Sequence, residues 1–408
     1  MNRRVVVTGI GVVSPLGATH GATWNALKMG AHGIVRMPEW DEIVGLRTRL
    51  AAPAVGVAGD QLSRKASRTM GRVAVLAAVA SEEAIADARL SREELSSGDV
   101  GLAYGSTHGS SAANEEWVRK ILSQSGFLGM PSTAYLKFMS HTAATNLAVH
   151  FGIRGRILTT CAACVSGAQA IGYAYETIKH GLADVMVAGG AEELHFTHAG
   201  VFDIMHATSC AYNDAPDQAP RPFEEKRDGL VVGEGAGTFV LEEYSRAKAA
   251  NKHIYAEIIG FGTNCDGTHV TNPSAEGMRG AMIAALKDAA IEPSQVGYVN
   301  AHATATVIGD IAESQATHSV FGASVPVSSL KGALAHTLGA CGAIEAALTI
   351  DMMNEGVLIP TRNLERVDPR CAELKYLQRE PTERAVDIVM SNKFAFGGIN
   401  TSLIFKRA

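Results

Sequence analysis

At 408 residues the chain is long enough for one large α/β unit or two fused halves, and far too long for a small binding module. Apolar residues make up 47% and charged residues 19%, with 42 glycines, which excludes a disordered chain. The formal net charge of −5 supplies no global basic field for nucleic acid, although local basic clusters can serve one acidic partner.

The chain opens MNRRVVVTGIGVVSPLG, whose charged start and apolar run mimic an export signal. Its β-branched residues and Gly-Ile-Gly break read instead as a first strand and turn, so it is taken as mature structure. In chain order the patterns then predict a helix at 70–88, a strand at 100–103, a helix at 164–180 and a strand at 184–188. A polar, Pro-containing stretch at 212–220 reads as a surface loop. Strands follow at 254–259, 296–300 and 386–390, with helices at 277–290 and 343–355. This alternation predicts an α/β fold with strands beneath helices. ADVMVAGGAEE (183–193) echoes VDIVMSNKFAFGG (386–398), and KHIYAEIIGFG restarts the opening strand pattern. Two related halves are therefore expected, 1–249 and 250–408. No apolar run is long enough to span a bilayer, and the six scattered cysteines suit free thiols, so a cytoplasmic protein without a membrane partner is expected.

TTCAACVSGAQAIGYAYETIKHG puts Cys164 at the start of a long helix. There a thiol faces unpaired N–H groups and the positive end of the helix dipole, which predicts a lowered pKa and a nucleophile. Considered alone, Cys164 reads equally well as a small buried apolar residue. Cys161 and Cys164 form a lone CxxC; without a second pair it gives little support to a metal or redox site, and no metal is expected. Downstream, VGYVNAHATATVIGD displays His302 just after a predicted strand, and SSLKGALAHTLGACGAIEAA displays Lys331 and His336 before a Gly-rich turn. Each histidine alone is more commonly structural; their combination is a stronger signal than either alone.

With these pieces in order, the whole chain resembles the 3-oxoacyl-[acyl-carrier-protein] synthases of the synthase I/II type, beta-ketoacyl synthases of the thiolase-like superfamily. The matching motifs are VVVTGIGVVSPLG, AACVSG, DVMVAGGAE, RPFEEKRDGLVVGEGAG, VNAHATAT with GDIAE, SSLKGALAHTLGACGAIEA and SNKFAFGGINTSLIF. The resemblance implies a five-layer αβαβα fold of two pseudo-duplicated halves. It implies a decarboxylative condensation in which Cys164 takes an acyl group as a thioester and a malonyl unit on a carrier attacks it. His302 and His336 would stabilise the enolate, Lys331 would tune their field, and the N–H groups of Cys164 and Phe396 would form the oxyanion hole. Glu345 would be structural. Thr304 and Thr306 would bind the phosphopantetheine arm, while His108, Phe202, Phe394 and Phe396 would line or gate the acyl pocket. Arg64, Lys65 and Arg68 would receive the acidic acyl-carrier protein. No dissociable cofactor is implied, since the carrier brings the substrates, and the assembly would be a homodimer or a heterodimer with a chain-length factor.

Several positions depart from the family pattern. Ala303 and Ala305 stand in the His-Gly-Thr-Gly/Ser-Thr run, Ala395 separates the two gate phenylalanines, His108 brings a polar ring to the acyl channel, and His206 falls where a carrier-binding arginine is common. Beside ordinary fatty-acid elongation, these favour a specialised synthase handling unsaturated, aryl-primed or polyketide-like chains. A thiolase would need a second cysteine in a C-terminal Cys-x-Gly turn, where Phe396-Gly397-Gly398 stands. A non-catalytic chain-length partner would lack the nucleophile, whereas Cys164, His302 and His336 are all present.

Overall fold

The opening run forms strand β1 (Val5–Val13), buried along its whole length. It lies against the helix Arg72–Asp87 so closely that a Cβ on Gly11 would sit 1.9 Å from the Ala80 carbonyl oxygen, which is why glycine interrupts the β-branched series. The computed structural model describes residues 3–58 and 61–408. In chain order the remaining main-sheet strands are β2 (Val100–Gly105), β3 (Ile157–Thr160), β4 (Val185–Glu192), β5 (Gly235–Glu243), β6 (Ala256–Cys265), β7 (Tyr298–Asn300), β8 (Pro326–Ser328), β9 (Lys375–Tyr376), β10 (Ile388–Ala395) and β11 (Ile399–Lys406). Across the sheet they run β9-β8-β7-β10-β11-β6-β1-β5-β4-β2-β3.

This order contains a duplication. Outward from β1 come β5, β4, β2 and β3, through two antiparallel and then two parallel pairings. Outward from β6 come β11, β10, β7 and β8, with the same sequence of senses. The halves join where β1 pairs antiparallel with β6, from Val5 opposite Ile258 to Val7 opposite Ala256. The two echoing segments are β4 and β10, the equivalent strands of the two halves.

Helices Ser166–Lys179 and Cys341–Glu355 pack on each other between the two halves of the sheet. Arg72–Asp87 covers one outer face, and Ala275–Ala289 with Val307–Phe321 covers the other, giving the five layers αβαβα. The central helices are apolar on nearly every side; Cys341–Glu355 is buried from Cys341 to Met353, as a helix sandwiched between sheets must be. Among the described residues no helix is long and apolar enough to cross a membrane.

The boundaries differ from the sequence reading at informative places. The helix read from Cys164 begins at Ser166, with Cys164 in a preceding 3-10 turn, Ala163–Val165. The 212–220 loop contains a short 3-10 turn, Pro216–Gln218, and its end is buried. The next residues anchor it: the Phe223 N–H donates to Asp310 at 2.7 Å, and the buried Arg227 pairs with Asp310 at 3.4 Å and Asp368 at 2.6 Å.

Candidate active site

Three chain reversals bring Cys164, His302 and His336 together. After β3 the chain turns through Ala163, at φ +47°, so that Cys164 faces inward before the helix starts. Ser166 locks this turn, accepting the Ala162 N–H at 2.9 Å and donating to the Ala163 carbonyl at 2.7 Å. His336 follows Ala335, at φ +58°; its N–H donates to Val231 at 2.8 Å and its carbonyl accepts from Gly233 at 2.9 Å, so the VVGEG motif holds it. His302 leaves the end of β7 in a loop pinned by Glu313, whose two oxygens accept the N–H groups of His302 at 2.7 Å and Ala303 at 2.6 Å. Ala305 also lies at positive φ, +69°, with its N–H on Asp310 at 3.1 Å. Non-glycine residues in this region are strained, and here three of them flank the reactive side chains.

The Cys164 Sγ lies 3.0 Å from His336 Nε2. The His302 and His336 rings stand perpendicular, 5.1 Å between centroids, and Phe394 meets the His302 edge at 6.3 Å. All three reactive side chains are buried. Burial, then the positive charge of Lys331, holds both imidazoles well below the ordinary histidine range, so they are neutral.

The thiol corrects an expectation. Burial, then the neighbouring Cys341, pushes the Cys164 pKa up, against the opposing pull of Lys331. Desolvation outweighs the helix N-terminus, and the resting sulfur keeps its proton. Cys161 turns elsewhere, its Sγ against the Thr107 carbonyl at 3.0 Å, so the CxxC spacing does not bring the two thiols to one task.

Lys331 is fully buried and pairs with Glu345 at 2.5 Å. Glu345, expected to be merely structural, is a counter-ion shared with a second buried lysine, Lys393, at 2.9 Å. Lys393 was not singled out from the sequence, where one lysine in a strand buried almost throughout was the available signal. Glu192 was missed too. Its Oε2 accepts N–H groups from Thr107 at 2.8 Å and Gly339 at 3.1 Å, its Oε1 has no partner among the described residues, and burial pushes its pKa up to about 8.

A cavity of about 370 Å³ opens on Cys164, His302 and His336. Phe202, Phe394 and Phe396 line it, as do Thr304 and Thr306, whose hydroxyls are 3.1 Å apart. His108 lies outside it, exposed, stacked on the buried His198 at 4.7 Å and 4°. Arg64, Lys65 and Arg68 are exposed at a short helix, Arg64–Ser67, away from the cavity wall. Beside His206, between the wall residues Met205 and Ala207, the guanidinium of Arg47 lies 2.6 Å from the imidazole, so a cation stands where arginine was expected, supplied from another segment.

The Cys164, His302 and His336 donor atoms lie within 4.8 Å of one another, a spacing able to close on one metal ion. The charges argue otherwise: Lys331 and Lys393 are buried next to the set, the thiol resists ionisation, and Glu345 is already taken by both ammoniums.

The family model described as Beta-ketoacyl synthase, N-terminal domain, matches residues 2–247, and that of the C-terminal domain matches 255–365. The chain is 40% identical over 425 residues to 3-oxoacyl-[acyl-carrier-protein] synthase 2 of Vibrio harveyi, covering 99% of each. It superposes with a TM-score of 0.96 on the crystal structure of a Beta-ketoacyl synthase from Burkholderia phymatum, at 50% identity and full coverage of both chains. A ketosynthase solved in complex with its type II PKS acyl-carrier protein matches with a TM-score of 0.91 at 30% identity, again over both full chains.

Proposed function

The chain belongs to the beta-ketoacyl synthase family and is an acyltransferase of the 3-oxoacyl-[acyl-carrier-protein] synthase type; from that premise we propose how its residues divide the work. Cys164 attacks the acyl thioester of a carrier, and its proton leaves with the departing pantetheine sulfur. Malonyl-carrier then loses CO2, and the N–H donors of His302 and His336 hold the enolate oxygen. The enolate carbon attacks the Cys164 thioester, the carbon–sulfur bond breaks, and the released thiolate takes up one proton from solvent. The backbone N–H groups of Cys164 and Phe396 serve the oxyanion of both acyl steps. Thr304 and Thr306 bind the pantetheine arm, and Arg64, Lys65, Arg68 and Arg47 steer the acidic carrier. Neither a metal nor a dissociable cofactor has a step in this scheme.

The observation that carries the reading is the 3.0 Å contact of Cys164 Sγ with His336 Nε2 beside the perpendicular His302 ring, in a cavity opening to solvent. Intact-mass measurement after exposure to a panel of acyl-carrier proteins tests it. Acyl adducts are expected on the native chain and none on Cys164→Ala; adducts on both would overturn it.

A second reading concerns the acyl class. The helix Phe196–Ile204 carries Phe202 on the cavity wall and His198 one turn before it, on the same face, with His108 stacked on His198. The two imidazoles lie outside the cavity lining, and a chain long enough to run past Phe202 to this stacked, polar pair would be better suited by an unsaturated or aryl-bearing tail than by a saturated one. Equal turnover of saturated and unsaturated acyl carriers would sink it. The functional division at residues 249/250 and assembly with a second copy complete the proposal. β3 is the last strand of the sheet, with Ile157 45% exposed, an open edge suited to pairing. Native mass spectrometry reads the assembly.

A further inference from the structure

Lys393 has no role in the scheme above, yet it is fully buried in β10, and its ammonium has four partners. These are Glu345 Oε2 at 2.9 Å, Asn300 Oδ1 at 2.8 Å, the Asn392 carbonyl at 2.7 Å and Ser391 Oγ at 3.3 Å. The partners belong to the three elements that build the site. Asn300 ends β7, two residues before His302. Glu345 lies in the first turns of the helix that follows His336. Ser391 and Asn392 belong to the strand that continues into Phe394 and Phe396.

The charge count is as informative as the geometry. Glu345 faces two buried ammoniums, from Lys331 at 2.5 Å and Lys393 at 2.9 Å, so one carboxylate answers two cations. Amide and carbonyl oxygens solvate the second cation without neutralising it, and an excess charge in a protein interior is expensive unless it serves a purpose. The titratable groups that feel these charges are His302, His336, Cys341, Cys164 through Lys331, and Glu313, which acts on Lys331 and is acted on by Lys393; burial lowers the pKa of Lys393 itself, with Glu345 opposing.

We propose that Lys393 is a positioning residue for the decarboxylation step. It ties the His302 loop, the gate strand and the helix after His336 into one unit, and with Lys331 it supplies the positive field that keeps both imidazoles as neutral N–H donors beside the forming enolate. This rests on the ketosynthase reading. Lysine is needed rather than an apolar residue because only a cation both makes these contacts and repels a proton from the rings.

The test uses the full chain, with histidine nitrogens labelled and followed by NMR from pH 5 to 9, in the native protein and in Lys393→Met and Lys393→Gln. Malonyl-carrier decarboxylation and Cys164 acylation are measured in parallel. In the native protein both rings should stay neutral below the ordinary histidine value of about 6.5. In the variants the ring titrations should move up by about one pH unit. The acid limb of decarboxylation should move up with the rings by about one pH unit, an extra loss that reaches about tenfold at pH values below both titrations. Acylation of Cys164 should fall less than decarboxylation. Unchanged ring titrations in the variants overturn the proposal, as does an equal loss at every pH, the mark of a packing defect. If Lys393→Met does not fold, the Gln variant, which keeps a polar contact to Asn300, carries the same comparison. The native protein alone is also decisive, since either ring titrating at or above 6.5 refutes the field. Failure of native Cys164 to take any acyl group would instead defeat the ketosynthase reading, and the nitrogen titrations would still judge Lys393.

Discussion

Cys164 and His336 share one proton between two groups that both resist charge, the thiol pushed up and the imidazole held down by burial. The resting pair is therefore neutral, and the thiolate forms only as substrate arrives. Alkylation of Cys164 by iodoacetamide, followed by peptide mass spectrometry, should climb by about tenfold per pH unit through pH 9 without a plateau; a plateau near neutrality would mean a preformed thiolate. Glu192 offers a separate pH signature. Its folded pKa, raised to about 8, exceeds the value of about 4.5 of an exposed glutamate, so the folded state binds the extra proton between them. Its contribution to stability is complete below pH 4.5 and is lost as pH rises through 8. Glu192→Gln cannot ionise, so its unfolding free energy relative to the native chain should rise by a few kcal/mol between pH 5 and pH 8.5, order of magnitude, as urea titrations would measure. A flat difference would place the titration elsewhere.

Single elements decide which substrates fit. The helix Phe196–Ile204 puts two kinds of surface one turn apart, the apolar ring of Phe202 and the imidazole of His198, which burial and then the nearby His108 and His195 hold down to about 3. His198 is therefore a neutral polar ring; one nitrogen meets Ser111 at 2.8 Å and the other the Glu193 carbonyl at 3.1 Å. Replacing His198 by Leu and His108 by Ile should raise kcat/KM for saturated acyl carriers about tenfold relative to unsaturated ones, about 1.4 kcal/mol of discrimination, read by competition between the two donors. This element also marks where sequence reading reached its limit. Cys164, His302 and His336 were legible because each is a reactive side chain at a strand-to-loop or loop-to-helix junction. His198 and Lys393 sit inside regular elements and Glu192 closes a strand, and the meaning of all three lies in partners far along the chain, 93 residues away for Lys393 and Asn300. Periodicity says which face is buried; it does not say that a buried cation will meet a carboxylate from another layer.

At the scale of the molecule, the site exists because two duplicated halves put equivalent helices back to back. Ser166–Lys179 begins just after Cys164, and Cys341–Glu355 begins five residues after His336, so the spacing between these helices sets the spacing between thiol and imidazole. The duplication was visible in the echo of β4 and β10 and in the restart of the strand pattern at β6, because repeated strands repeat their apolar runs. The closeness of the central helices was not, since it depends on glycines, Gly167 and Gly342, each set against the backbone of the other helix's end. A Cβ on Gly342 would lie 2.6 Å from the Ala168 nitrogen and 2.8 Å from its Cβ. Backbone cannot yield as a flexible side chain can, so Gly342→Ala must part the helices near their N-termini, where Cys164 and His336 meet. The overpacking should cost about 1–3 kcal/mol, seen as a lowered melting temperature with the fold retained. Condensation should suffer more than stability, falling by about tenfold or more, because a catalytic contact tolerates a smaller displacement than a packed core does. Full condensation in a measurably destabilised Gly342→Ala protein would mean that the 3.0 Å contact is set locally by the two turns rather than by the docking of the halves.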